Sequence, residues 1–267
     1  MSSTSEIAGH GSPVRWLDQH CHLPPEQAEA ELLLAEAGEA GVLRLIDVGC
    51  DLGSSRACVE RASRYPAVSA TAGVHPHEAS GGIDGLADLL ESPHVVAVGE
   101  CGLDYHYEHS PIDVQRDVFA AQIELAAERG LPLVIHTREA WDDTFAILAA
   151  SNEPPSVVFH CFTGGPRELD RCLDMGAVVS FSGIVTFKSA QDLQLAAARV
   201  PADRYLVETD APWLAPVPHR GRPNRPGLVP VVGAAMAGLR GVAVAQVAEE
   251  TWSTAHRTYP ALGDPPT

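Results

Sequence analysis

A closed (β/α)8 barrel is the fold this sequence predicts, on three observations. Eight short apolar runs alternate with about eight helical stretches in a chain of 267 residues, the count and length of one large α/β barrel. The runs are nearly all apolar, as in a parallel sheet covered on both faces. No G-x-G-x-x-G follows the first run, which counts against an open dinucleotide-binding sheet.

In chain order, Val14 to Leu17 is the first strand, and it runs into Asp18-Gln19-His20-Cys21-His22. Pro24-Pro25 opens a helix through Leu34 to Glu39, closed by Gly41. Val42 to Val48 is a strand, Ser54 to Arg64 a helix ended before Pro66, and Val68 to Val74 a strand leading to His75-Pro76-His77. A helix is expected over Ile83 to Leu90 and a short strand over Val95 to Val98, followed by Gly99-Glu100-Cys101-Gly102-Leu103-Asp104. The next helix has Ser110 as its cap, Pro111 at its first position and an apolar face of Val118, Ala121 and Leu125, widened by Phe119, Ile123 and Ala126. Leu133 to Ile135 delivers His136, Ala140 to Ala150 is helical, and Val157 to Phe159 delivers His160. A helix from Gly165-Pro166 to Gly176, a strand over Ala177 to Phe181 and a helix over Ala190 to Arg199 follow. Arg204 to Val207 is the last strand, delivering Glu208-Thr209-Asp210, with helices after Pro230 and from Val244 to Arg257. No linker divides the chain. One barrel domain is expected over residues 14–259, between a flexible N-terminal tail (1–13) and a C-terminal tail (260–267).

Hydrophobic residues at 45% and charged residues at 20% are ordinary for a globular protein. No apolar run reaches membrane-spanning length, and the first dozen residues lack the basic and apolar regions of a signal peptide. A cytoplasmic monomer without membrane contact is therefore expected. The six cysteines form no C-x-x-C pair and read as reduced thiols. A net charge of −17 argues against a basic groove for long duplex nucleic acid, but leaves room for bound cations to supply positive charge locally.

The chemistry lies at the strand ends. Strand alternation puts His20 and His22 on one side, where two imidazoles suit a metal better than a core. Glu100, His136, His160 and Asp210 follow later strands. Each alone has an ordinary reading: His136 as a hydrogen-bonded core histidine, Glu100 as a helix-capping acid, Asp210 as a turn former before Pro212. All six at the same end of successive strands would meet at the mouth where this fold places its active sites. Four histidines and two carboxylates exceed the three ligands of a single catalytic zinc. Two divalent ions fit better, with His20, His22, Glu100 and Asp210 on one, His136 and His160 on the other, and Glu100 bridging. Zinc, manganese, nickel and, less comfortably, magnesium suit such donors. Such a pair polarises a phosphoryl or acyl oxygen and activates a water, with Asp210 as general base. Cys21, Cys101 and Cys161 each neighbour a proposed ligand, but alternation turns them outward as packing residues. His75, either a substrate contact or a turn residue, and Arg138 are the candidate substrate-binding residues. Arg220, Arg222 and Arg225 could rim the mouth, and Phe162 and Trp213 could stack on a base or fill space.

Asp18-Gln19-His20-Cys21-His22-Leu23, Gly73-Val74-His75-Pro76-His77 and Gly99-Glu100-Cys101-Gly102-Leu103-Asp104-Tyr105 resemble the TatD family of metal-dependent hydrolases. So do Ile135-His136-Thr137-Arg138, His160-Cys161-Phe162-Thr163-Gly164 and Glu208-Thr209-Asp210-Ala211-Pro212, over about Trp16 to Tyr259. The resemblance implies an amidohydrolase-like TIM barrel, the same six metal ligands and metal-dependent deoxyribonuclease activity of a 3'-5' exonuclease kind on single-stranded DNA or ends. The chain departs from the family pattern at Pro24, where Asp is usual, at Arg225 within Asn-Glu-Pro, and at Thr254, where Asn is expected. None is a metal ligand. The alternative chemistry keeps both ions and cleaves an amide or ester, as an aminoacyl-tRNA deacylase does. A carboxylated-lysine bridge is disfavoured because the only lysine, Lys188, follows strand seven.

Overall fold

The computed structural model describes residues 14–263; the expected tail at 1–13 and the last four residues, 264–267, lie outside the described residues. Eight parallel strands form one sheet in sequential order: β1 (Trp16–Cys21), β2 (Val42–Asp47), β3 (Val68–Ala72), β4 (Val95–Asp104), β5 (Leu133–Arg138), β6 (Val157–Phe159), β7 (Val178–Phe181) and β8 (Tyr205–Val207). Helices alternate with them: α1 (Gln27–Glu39), α2 (Leu52–Arg64), α3 (Leu86–Leu89), α4 (Ile112–Arg129), α5 (Trp141–Ala150), α6 (Pro166–Asp174), α7 (Gln191–Arg199), α8 (Val229–Arg240) and α9 (Val244–Thr258). The sheet closes just past β8, where Asp210 N–H donates to His20 O at 2.9 Å and His22 N–H to Ala211 O at 2.8 Å. The seam of the (β/α)8 barrel is thus built from the segments that carry His20, His22 and Asp210.

Two apolar layers result from strand alternation. The larger lies between strands and helices and holds Cys21, Leu45, Leu133, Phe159 and Tyr205. The smaller gathers Leu17, Ile46, Val96, Val134, Val158 and Leu206 from six strands with Trp252, Tyr259 and Leu262, and fills the barrel beneath its mouth. Within the expected C-terminal tail, Pro260–Leu262 is a short 3-10 turn in which Leu262 is buried while Pro260 and Ala261 are exposed.

Four local expectations are corrected. β4 is ten residues long rather than four, because Gly99 and Gly102 (φ 143° and 132°) let it continue past Val98. The helix expected over Ile83 to Leu90 is only the four residues of α3, preceded by a 3-10 turn over Pro76–Gly81. Ser110 does not cap α4: its hydroxyl donates to His77 O at 2.8 Å and Pro111 takes the cap position. The buried face of α4 is Gln115, Phe119, Gln122, Ile123 and Ala126, turned from the one centred on Val118. Two glutamines belong to it because they clamp backbone outside the helix. The Gln122 amide spans the Val74 N–H and carbonyl at 2.7 and 2.9 Å, and Gln115 spans those of Asp104 at 2.8 and 3.1 Å.

Candidate metal centre

The six expected donors converge at the mouth. β1 delivers two of them after a change of phase. Its pairing to β2 shifts register between Asp18 and Cys21, so Leu17 and Gln19 face the lumen and His20 and His22 face the mouth beyond them. Glu100, 4% exposed, stands between the two groups of imidazoles. Its Oε2 is 3.3 Å from His20 Nε2 and 3.9 Å from His22 Nε2. Its Oε1 is 2.7 Å from His160 Nε2 and 3.0 Å from His136 Nδ1. Asp210 Oδ1 is 3.8 Å from His20 Nε2 and 3.6 Å from His22 Nε2. Asp210 reaches this position from a left-handed backbone (φ 55°), which aspartate tolerates better than most residues.

The donor set fits divalent cations. His20 is fully buried, yet neither of its ring nitrogens makes a hydrogen bond. Leaving a buried polar group unmet costs about 1–3 kcal/mol, and a cation accepting the Nε2 lone pair removes that cost. His22 and His136 are oriented from behind by hydrogen bonds, as metal-ligating histidines are, and His160 lies beside a carboxylate. His22 Nδ1 donates to Val48 O at 3.0 Å, which leaves Nε2 free to face Glu100 and Asp210. His136 Nε2 donates to Asp104 Oδ2 at 3.1 Å and presents Nδ1. His160 Nδ1 is 3.3 Å from Glu208 Oε1 and presents Nε2.

Electrostatics follow the same division. Burial alone would raise the Glu100 carboxyl, but His160, His75 and His136 outweigh it and hold the group well below the usual carboxylate range. Burial opposes the charged form of His160 as well, and Glu100 and Glu208 overcome it, raising its pKa well above the ordinary value. For His20 nothing compensates sufficiently: burial and the neighbouring His160 lower it, so its imidazole stays neutral and able to ligate.

Of the two candidate substrate residues, the structure brings one to the cluster. His75 Nε2 is 3.5 Å from Glu100 Oε1, and His75, Glu100 and His136 together could hold a cation. Arg138 is exposed at the rim, its guanidinium 4.7 Å over the Tyr107 ring. Arg225 is engaged elsewhere, one of its guanidinium nitrogens donating to both carboxylate oxygens of Glu36 in α1 at 2.6 and 2.7 Å. That pairing gives Arg225 a structural use where the family pattern has Glu. Cys21 and Cys101 face outward, their thiols donating to Ile46 O and Val134 O at 3.5 Å. Cys161 is half-buried beside Ser182, not within the outer layer.

Four residues of the centre were missed by sequence reasoning. Glu208 accepts from Gln19 and from Cys161 N–H (2.8 Å), and Gln19 in turn accepts from the Tyr259 hydroxyl at 2.7 Å. A buried column therefore runs from the barrel floor to His160. Asp104 takes both His136 and His77, each at 3.1 Å. Asp18 accepts from the Thr209 N–H and hydroxyl at 2.8 and 2.5 Å, and burial pushes its carboxyl up to about 8. Cys50 places its sulfur 3.8 Å from His22 Nδ1 and 3.9 Å from Glu100 Oε2. The available signal was position: Glu208 precedes Asp210 by two residues, Asp104 ends the Glu100 strand, and Cys50 follows the end of β2.

Residues 17–260 match the sequence model of a family described as TatD related DNase. The chain is 36% identical over 249 residues to the uncharacterized metal-dependent hydrolase YabD of Bacillus subtilis, covering 91% of this chain and 98% of that one. It is 37% identical over 219 residues to the 3'-5' ssDNA/RNA exonuclease TatD of Klebsiella pneumoniae, covering 78% and 83%. Its backbone superposes on the crystal structure of YjjV, a TatD homologue from Escherichia coli, with a TM-score of 0.87 at 27% identity, over 92% and 98% of the two chains.

Proposed function

This chain belongs to the TatD related DNase family of metal-dependent hydrolases, and we propose from that premise that it binds two divalent cations and removes nucleotides from the 3' end of single-stranded DNA. The observation that carries the reading is the division of Glu100, whose Oε2 faces His20 and His22 while Oε1 faces His136 and His160. His20, His22, Glu100 and Asp210 would hold one cation, and Glu100, His136 and His160 the other. Cations held there supply Lewis-acid polarisation of a phosphoryl oxygen and a water of lowered pKa. Asp210, partly exposed at the edge of the cluster, accepts the proton from the attacking water on its carboxylate. Asp104 keeps the His136 ring from turning, and the Glu208 carboxylate faces His160 Nδ1 at 3.3 Å. A single-strand end as substrate is supported by the activity named for the Klebsiella relative and by the net charge of −17, which disfavours gripping duplex.

The test is a metal-reconstituted chain acting on oligonucleotides labelled at either end. A 3' label is expected to leave first as mononucleotide, and a 5' label to pass through a descending ladder. Asp210→Asn is expected to slow the reaction by about 10²–10⁴-fold, the usual worth of a positioned general base. Inert DNA together with hydrolysis of aminoacyl-tRNA or small esters would assign the site to carbonyl chemistry instead.

A further inference from the structure

We propose that Trp213 forms a base-binding subsite, on which the base of the nucleotide carrying the scissile phosphate stacks; this rests on the single-strand nuclease reading above. The indole lies against the donor cluster, its ring centroid 5.0 Å from that of His22 and its plane at 71° to it. It is nevertheless 56% exposed, whereas Phe162, which the sequence also places beside the mouth, is 1% exposed and packs against Phe181. Phe162 fills space and Trp213 does not.

The backbone that carries the exposed indole is held in place. Trp213 N–H donates to Asp210 O at 2.9 Å, so its backbone is tied to the donor residue itself. Asn224 closes the loop behind it, with its N–H on Pro212 O at 2.9 Å and its side-chain amide on Thr209 O at 2.7 Å. From the opposite side, the Leu214 carbonyl comes so near Gly183 that a Cβ there would lie 2.0 Å from it. A large apolar face is therefore presented to water from an anchored loop, one ring away from the metal-donor groups. A ligand covering it must extend from the cluster, and in a nucleotide a planar base lies one sugar from the phosphate. Every base has a π-face, so such a platform grips a strand end without selecting its sequence. The sequence around it tolerates an anionic strand: no carboxylate occurs between Asp210 and Glu249, and Arg222 is exposed in the same loop.

The test compares two single-stranded oligonucleotides, one with ordinary 3'-terminal nucleotides and one whose 3'-terminal nucleotides are abasic, on parent, Trp213→Ala and Trp213→Phe proteins. Trp213→Ala is expected to lower kcat/KM on the base-bearing strand by roughly 5- to 150-fold, mostly through KM. The abasic strand is expected to be cut equally by parent and Trp213→Ala, and Trp213→Phe to recover most of the loss. Equal losses on both strands, or no loss on either, overturn the subsite while leaving the nuclease reading in place. A parent protein inert on both strands overturns the nuclease reading and the subsite together.

Discussion

Asp18 and Glu100 are both buried carboxyls at the same mouth, and their surroundings drive them in opposite directions. Glu100 is ringed by imidazoles and held anionic. Asp18 is pushed up to about 8 by burial, with Glu208 nearby and only Thr209 and a backbone N–H opposing. The unfolded chain gives up the Asp18 proton near pH 4, whereas the folded chain keeps it to about 8. Stability from this group is thus full below about pH 4 and is lost as pH rises through that window. Asp18→Asn has no proton to lose, so its stability relative to the parent should climb from about pH 4 to about pH 8 and then level off. Urea melts of metal-free protein across that range read this directly, and a difference that stays constant would refute the shift. The six donors were legible because each follows an apolar run, and a barrel sends all strand ends to one rim. Glu208, Asp104 and Cys50 were not, because their contacts depend on register between strands and on side-chain reach.

The element that most constrains the centre is β4. Its extension through Glu100 to Asp104 was illegible because two glycines within the segment read as breakers, and only a neighbouring strand shows why they are there. A Cβ on Gly102 would lie 2.0 Å from His136 O, and its φ of 132° is one that other residues avoid. Gly102→Ala should therefore cost about 3 kcal/mol or more and displace His136. Gly130→Ala at the end of α4 meets no atom within 4 Å at a φ of 63° and should cost only about 1–2 kcal/mol. Equal unfolding midpoints for the two variants would contradict this account of β4. α4 illustrates the converse difficulty. Periodicity found the helix, but a buried glutamine looks like a surface residue until its amide is seen clamping the backbone of Val74 or Asp104. The phase change in β1 is of the same kind: strict alternation from Leu17 would turn His20 outward, and the register shift brings it to the mouth.

At the scale of the molecule, barrel closure and the proposed metal centre share residues, since the seam joins His20 and His22 to Asp210 and Ala211. Two cations that bind the folded chain alone should each add about 2.7 kcal/mol at a hundred times their Kd, together roughly 11–22 °C in Tm for a chain of this size. Chelation should lower Tm by that amount and re-addition restore it, as scanning calorimetry would show. Charge and hydropathy exclude less than the site proposes: among the described residues no single helix is long and apolar enough to cross a membrane. The central claim is that one carboxylate divides its oxygens between two cations. It is tested most directly by titrating the metal-free chain with Zn2+ or Mn2+ and counting bound ions by elemental analysis, in the parent and in Glu100→Gln. Two ions per parent chain and fewer than two per Glu100→Gln chain are predicted; one ion per parent chain, or two retained by the variant, would contradict it.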